Sequence, residues 1–162
     1  MGVEIFLTLT GISGESTKVN ATGWIEIFSF SNGASNPSSV AFGTGSGAGK
    51  VDLSSISLQK QLDTSSPTLF LSCCKGTHFA TGTMVVREAA GQNTTQVYFQ
   101  YDMTECFIDS ISWGGSAGGG KPSESVSMSA KSLMVSYSPQ NSDGSLGTKI
   151  PAGWNQTTNS QM

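Results

Sequence analysis

A chain of 162 residues is sized for one domain, and at that length roughly two-thirds of the unfolded surface can be buried without disulfides or a metal as staples. Only 12 % of the residues are charged and the net charge is −3, with no Lys/Arg stripe to neutralise phosphates, which excludes a basic nucleic-acid binder. A single His and a single Arg leave little material for general acid–base chemistry, so no enzyme, no metal and no cofactor are expected.

Most of the chain alternates with period 2, as half-buried strands do. Ile5, Leu7 and Leu9 share one face of a first strand, and Gly11 to Gly14 turns the chain. Trp24 to Ser31 reads as one second strand, with Trp24, Glu26, Phe28 and Phe30 on one face and Ile25, Ile27, Ser29 and Ser31 on the other. Residues 32–50 form an extended, Gly- and Ser-rich loop, of a length that in compact domains usually serves a function. Val51, Leu53, Ile56 and Leu58 make a strand whose parity slips around Ser54–Ser55, the mark of a bulge.

Asp63 to Gly76 carries the one helix signal. Ser66 can cap it, Pro67 suits the first turn, Lys75 favours the C-terminal dipole, and Gly76 can end it in the left-handed conformation. A helix over about 66–75, carrying Leu69, Phe70, Leu71, Cys73 and Cys74 towards a core, is too short to stand alone and must pack on a sheet. Strands follow at about 80–89, 95–103, 105–113 and 125–137. Gly91 to Asn93 turns the first pair, and Gly114 to Pro122 is a loop. The apolar set shifts from Val126, Met128 and Ala130 to Leu133, Val135 and Tyr137, which places another bulge near Ser132. Asp143–Gly144 is a turn, residues 1–154 form the domain, and 155–162 read as a flexible tail. The expected fold is mainly β: a closed or nearly closed β-barrel of short antiparallel strands with one short flanking helix.

Gly43 to Lys50 invites comparison with a phosphate-binding loop, but Thr44 stands where the first glycine is required and Val51 where Ser or Thr would hold magnesium. His78 reads as a partly buried structural residue behind the helix cap, and Cys73 and Cys74 as inert packing thiols. A bridge between these adjacent cysteines would be strained, because neighbouring Cα atoms lie about 3.8 Å apart against a usual disulfide minimum of about 4.4 Å. Three free thiols and folding in a reducing cytoplasm are expected. Met1 to Thr10 offers no basic region and no long apolar core, Phe6 stands where myristoylation needs Ser or Thr, and no apolar run approaches a membrane span. The sequons at Asn20, Asn93 and Asn155 carry no weight in so Thr-rich a chain. Trp24, Trp113, Trp154, Tyr98 and Tyr101 could together form a sugar-stacking platform, which makes a carbohydrate-binding β-sandwich module the competing reading.

Ile12 to Lys18, Gly23 to Gly33, Lys60 to Leu69, Gly76-Thr-His78, Pro122 to Met128, Tyr137 to Gly144 and Ala152-Gly-Trp154, taken in this order, resemble the Hcp (haemolysin-coregulated protein) family of the type VI secretion system. Ile12 to Lys18 resembles the family's early Gly-Glu-Ser turn, and Gly23 to Gly33 its second strand. Lys60-Gln-Leu-Asp-Thr-Ser-Ser-Pro-Thr-Leu resembles the K-x-x-D-x-x-S-P-x-L approach to its helix, followed by Gly76-Thr-His. Pro122 to Met128, Tyr137 to Gly144 and Ala152-Gly-Trp154 resemble its closing strand, turn and end, while Phe30 and Asn155 depart from the usual Trp and Asp.

The resemblance implies a tube subunit: hexameric rings that stack into an inner tube, expelled by contractile sheath proteins behind a spike protein, with small effector proteins in the lumen. It implies synthesis in the cytoplasm and release without a signal peptide, with neither nucleic acid nor membrane insertion involved. It places the inter-ring contact on the long loop, at Phe42, Thr44, Gly45, Ser46, Gly47, Ala48 and Lys50, and makes Ser29 and Ser31 candidates for the channel wall.

Overall fold

Alternating apolar residues build β1 (Val3–Leu9), whose Leu7 and Leu9 enter the core, and β2 (Ile25–Ile27), which pairs with it antiparallel. The computed structural model describes residues 2–37, 50–88 and 96–162. The remaining elements in chain order are β3 (Ser29–Ser31), β4 (Ala34–Ser35), β5 (Asp52–Leu53), β6 (Ile56–Gln61), α1 (Ser66–Lys75), β7 (His78–Glu88), β8 (Gln96–Gly114), β9 (Ser123–Tyr137), β10 (Ile150–Asn155) and β11 (Ser160–Gln161). The main ladder runs β11-β10-β9-β8-β7-β1-β2; β6 adds to β9 on one side and takes β3 on the other. The protein is thus mainly β with one short helix.

The second strand breaks at Phe28. Ile25 and Ile27 are buried against β1, Phe28 is 60 % exposed, and Phe30 then turns inward to pack on the core, so Ser29 and Ser31 face out. One residue of changed parity therefore hands the chain from β1 to β6. The slip expected at Ser54–Ser55 is the gap between β5 and β6. Of the long loop, Ala34–Ser35 pairs with Asp52–Leu53, Lys50 is exposed, and Phe42 to Ala48 lie outside the described residues, as does the Gly91 to Asn93 turn.

The two strands expected at 95–103 and 105–113 are one, the 19-residue β8. Its buried positions Met103 and Cys106 are three apart, as are Phe79 and Gly82 in β7 and Ala130 and Leu133 in β9, and these residues pair in register. A transverse crease therefore crosses all three strands at one level, where period 2 restarts. Glu105 makes the restart in β8 with a left-handed backbone, φ +48°, and its carboxylate meets Lys131 of β9 at 3.4 Å. On the core side Gly82 is required: a Cβ there would stand 2.8 Å from Leu9 Cδ2 and 3.0 Å from Cys106 Sγ.

The helix spans the expected residues, but its cap differs. Ser65 stands at the N-cap position without a side-chain cap, its hydroxyl donating to Asp63, and Ser66 is the first helical residue, its hydroxyl held by charged groups described below. Gly76 closes the helix at φ +67°, its N–H donating to the Cys73 carbonyl while Thr77 N–H donates to that of Ser72. Leu69 is buried and Cys73 half-buried against the core, whereas Cys74, Phe70 and Leu71 face outward, contrary to the expected apolar core face. Where the sequence reads as a flexible tail, Trp154 and Asn155 pair with Gln161 and Ser160, and the Asn155 side chain caps the turn between them.

Candidate functional site

Register arguments assemble one face of the sheet from four strands. Ser31 of β3 pairs with Ser57 of β6, Ser57 with Ser127 of β9, and Ser127 with Ser110 of β8. The next row is Ser29–Gln59–Ser125–Ser112, and the next Gln61–Ser123–Gly114. These side chains are exposed or half-buried, and none carries a charge. The opposite parity of the same strands is the core, with Phe30, Leu58, Val126 and Ile111 in one row. The sheet is therefore apolar inside and hydroxylic outside, with Ser29 and Ser31 on the hydroxylic side as part of a larger surface.

A bulge interrupts this face once. Ile108 pairs with Met128 and Ser110 with Ser127, which leaves Asp109 as the extra residue of β8. Its carboxylate accepts hydrogen bonds from Ser129 Oγ and Ser55 Oγ, both at 3.0 Å, one to each oxygen. The Cys73 thiol of α1 donates to its backbone carbonyl at 3.9 Å.

Behind the face lies a buried charged cluster. Lys60 Nζ pairs with Glu124 Oε2 and, at 3.1 Å, with Asp63 Oδ1; the side chains of Lys60 and Glu124 are 1 % and 0 % exposed. The Ser66 hydroxyl donates to Glu124 at 2.7 Å and accepts from Lys60 at 3.2 Å and from Asp63 N–H at 3.0 Å. Asp63 also receives Ser65 N–H at 2.9 Å. The Lys-x-x-Asp-x-x-Ser spacing thus holds the start of the helix, and Glu124, far along the sequence, completes it. Burial raises Tyr101 above its ordinary value and pushes the Cys106 thiol up to about 11.

Other predicted positions do not converge. His78 is exposed, its ring tilted on Phe107 at 5.3 Å between centroids, rather than partly buried. Among the described residues no group of His, Cys, Asp and Glu could hold a metal ion. The five aromatics form no common platform. Trp24 packs on Phe6 and Val85, Trp113 on Phe70, and Tyr98 lines a separate small cavity with Tyr137. Only Tyr101 and Trp154 share a groove, of about 410 Å³, and Tyr101 is buried in it. The residues missed from the sequence are Asp109 and Glu124. The Ser123, Ser125, Ser127, Ser129 alternation was the available signal for the face they flank.

Residues 6–137 match the family described as Type VI secretion system effector, Hcp. The chain belongs to the Hcp family. It is 33 % identical over 162 residues to Protein hcp1 of Pseudomonas aeruginosa PAO1, covering 99 % of each chain. Its fold is similar to that of a solved type six secretion system protein at a TM-score of 0.92, with 29 % identity over 99 % of this chain and 100 % of that one. Hcp1 from Salmonella typhimurium is similar at a TM-score of 0.82 and 27 % identity over all of both chains. The β-rich body carries one helix, and among the described residues no helix is long and apolar enough to cross a membrane.

Proposed function

We propose that this Hcp chain is a tube subunit, forming hexameric rings that stack around a channel whose wall is the hydroxylic face. The observation that carries the reading is the register itself. It brings Ser29, Ser31, Ser57, Ser110, Ser112, Ser123, Ser125 and Ser127 onto one hydroxylic face outside a buried core, with Asp109 as the carboxylate among them. A surface that is wet and largely without charge resists nonspecific sticking to passing protein. Handing the chain from β1 to β6 at Phe28 closes the strands into a barrel in this reading. Such a barrel presents different lateral surfaces to two neighbours, as a closed ring requires.

The long loop, at Phe42, Thr44, Gly45, Ser46, Gly47, Ala48 and Lys50, makes the contact between stacked rings. Its Ser and Gly residues approach a partner without desolvating charge. Sheath and spike proteins are the outer partners, small effectors the cargo in the lumen, and the chain has no catalytic activity. It leaves the cell by this route.

Thiol accessibility tests the wall assignment. A Ser127→Cys variant is placed in a Cys73→Ala/Cys74→Ser background and assembled, with tubes verified by negative-stain electron microscopy. A small maleimide is expected to label position 127 in tubes, and a large polyethylene-glycol maleimide only after dissociation. Equal labelling by the large reagent in tubes and in dissociated protein refutes the wall assignment, and a parent that is monomeric at all concentrations refutes the tube.

A further inference from the structure

We infer that Asp109 is the docking point on the hydroxylic face for a cationic side chain, lysine or arginine, of a protein cargo. This deepens the channel-wall reading and rests on it. In the rows that β3, β6, β8 and β9 turn outward, the neighbours of Asp109 are Ser and Gln, while Lys60 and Glu124 of the same strands point to the other side. In these rows Asp109 therefore holds a negative charge among uncharged neighbours, and no cationic group pairs with it among the described residues; Asp102, beyond the crease on β8, is held by Thr83 and Gln100. At the crease, Glu105 and Lys131 already pair with each other, and His78 stands on β7 opposite Phe107.

The geometry prepares this carboxylate for a ligand. As the extra residue of a bulge, Asp109 has no partner in the register with β9, and its carboxylate is reached from that strand only by the Ser129 hydroxyl. Ser129 and Ser55 each donate one hydrogen bond, one to either oxygen, which fixes the plane of the group without neutralising it. A carboxylate offers about four acceptor sites, so the remainder stay open for N–H donors from an approaching guanidinium or ammonium. Hydrogen bonds between ionised groups are roughly twice as strong as neutral ones, and here no competing cation must be displaced. The thiol of Cys73 holds the bulge's carbonyl from the helix side, so the position is braced from two elements. Charge complementarity selects a basic segment and rejects an acidic one. In a closed ring the same carboxylate recurs once per subunit, so several basic side chains on one cargo would be held together.

The test uses the full chain and a fluorescein-labelled Gly-Arg-Gly-Arg-Gly peptide followed by fluorescence anisotropy, with the Gly-Glu-Gly-Glu-Gly peptide as its opposite. The Arg peptide is expected to bind, and to weaken as salt rises from about 50 to about 500 mM, where the screening length shortens several-fold. Asp109→Asn, nearly isosteric, and Asp109→Ser should each lose about tenfold in affinity, on the order of 1.4 kcal/mol. Circular dichroism and light scattering of both variants should match the parent. Asp143→Asn, which removes a carboxylate held by Ser145 in a distant turn, should bind as the parent does. Equal binding by the Asp109 variants, equal binding of the Glu peptide, or an equal loss in Asp143→Asn overturns the proposal. If Asp109 lies on the outside of a ring, the peptide results stand and the maleimide exclusion at position 127 fails, which separates the two ideas.

Discussion

Two ion pairs join β9 to its neighbours, and their surroundings could hardly differ more. Lys60 of β6 and Glu124 meet with 1 % and 0 % of their side chains exposed, held in addition by Asp63 and Ser66. Glu105 of β8 and Lys131 meet at 3.4 Å with 55 % and 38 % exposed. Water screens the second pair and must be stripped from the first, so the same chemistry has opposite consequences. In the interior the attraction barely offsets desolvation, but losing one partner leaves a charge with nowhere to go. On the surface neither loss nor gain amounts to much. The buried pair therefore acts as a constraint on which strands may meet and where the helix begins, and the exposed pair as a light tie across the crease.

The largest effect expected is at Lys60. Lys60→Ala should cost about 3–5 kcal/mol in urea unfolding, because Glu124 is then buried uncompensated. Adding Glu124→Leu to Lys60→Met should recover most of that loss. A double variant no better than Lys60→Met alone would show that the stranded Glu124 charge is not what costs stability.

Gly82→Ala comes next, at about 1–3 kcal/mol, since its methyl must displace Leu9 and Cys106. Comparison with Gly114→Ala, where a Cβ meets nothing within 4 Å, isolates the steric part. The neighbouring thiol provides a titration. Burial raises Cys106 from its ordinary 9.0 to about 11, so the unfolded chain loses its proton first. Its contribution to stability is complete below about pH 9 and is lost as pH climbs towards about 11. A Cys106→Ala variant should therefore show a flatter decline in stability across that window, and maleimide should label exposed Cys74 in the native protein while sparing Cys106.

Smaller effects belong to the crease. Glu105→Gly relieves a left-handed backbone and should gain about 1 kcal/mol, more than it loses with the ion pair. Lys131→Ala should shift stability by no more than about 0.5 kcal/mol, less at high salt. If Lys131→Ala instead matches Lys60→Ala, burial is not what distinguishes the two pairs.

Local chemistry made the helix over 66–75, the Gly76 stop and the Ser54–Ser55 slip readable, because each depends on residues within one turn of the chain. Strand parity grouped Ser29 and Ser31 with Ile25 and Ile27, and only the change of face after Phe28 turns the serines outward. Their partners Ser57, Ser127 and Ser110 were not legible either, since pairing register is set across the sheet and not along the strand. The break in the second strand was hidden because Phe28 and Phe30 read as one apolar face, whereas Phe28 stays outward with Glu26 and Phe30 turns to the core. Glu105 hid the continuity of β8, because a left-handed glutamate resembles a turn in sequence and is a kink within a ladder in space. Glu124 could not be tied to Lys60 by any local rule. The Ser66 hydroxyl, read as a cap, is held instead by that long-range cluster, and Ser65 at the N-cap position turns its hydroxyl to Asp63.

The crease at Glu105 and the bulge at Asp109 also determine how this protein can change over generations. Each is a place where the two-residue rhythm begins afresh, so β8 is written in separate frames rather than one. A single residue gained or lost inside a frame would exchange its wet and dry sides, sending serines inward and Ile108 or Ile111 outward. At a frame boundary the same event has slack to absorb it. Length variation tolerated within β8 should therefore gather at positions 104–105 and 109, while the stretches between them admit substitution but not insertion.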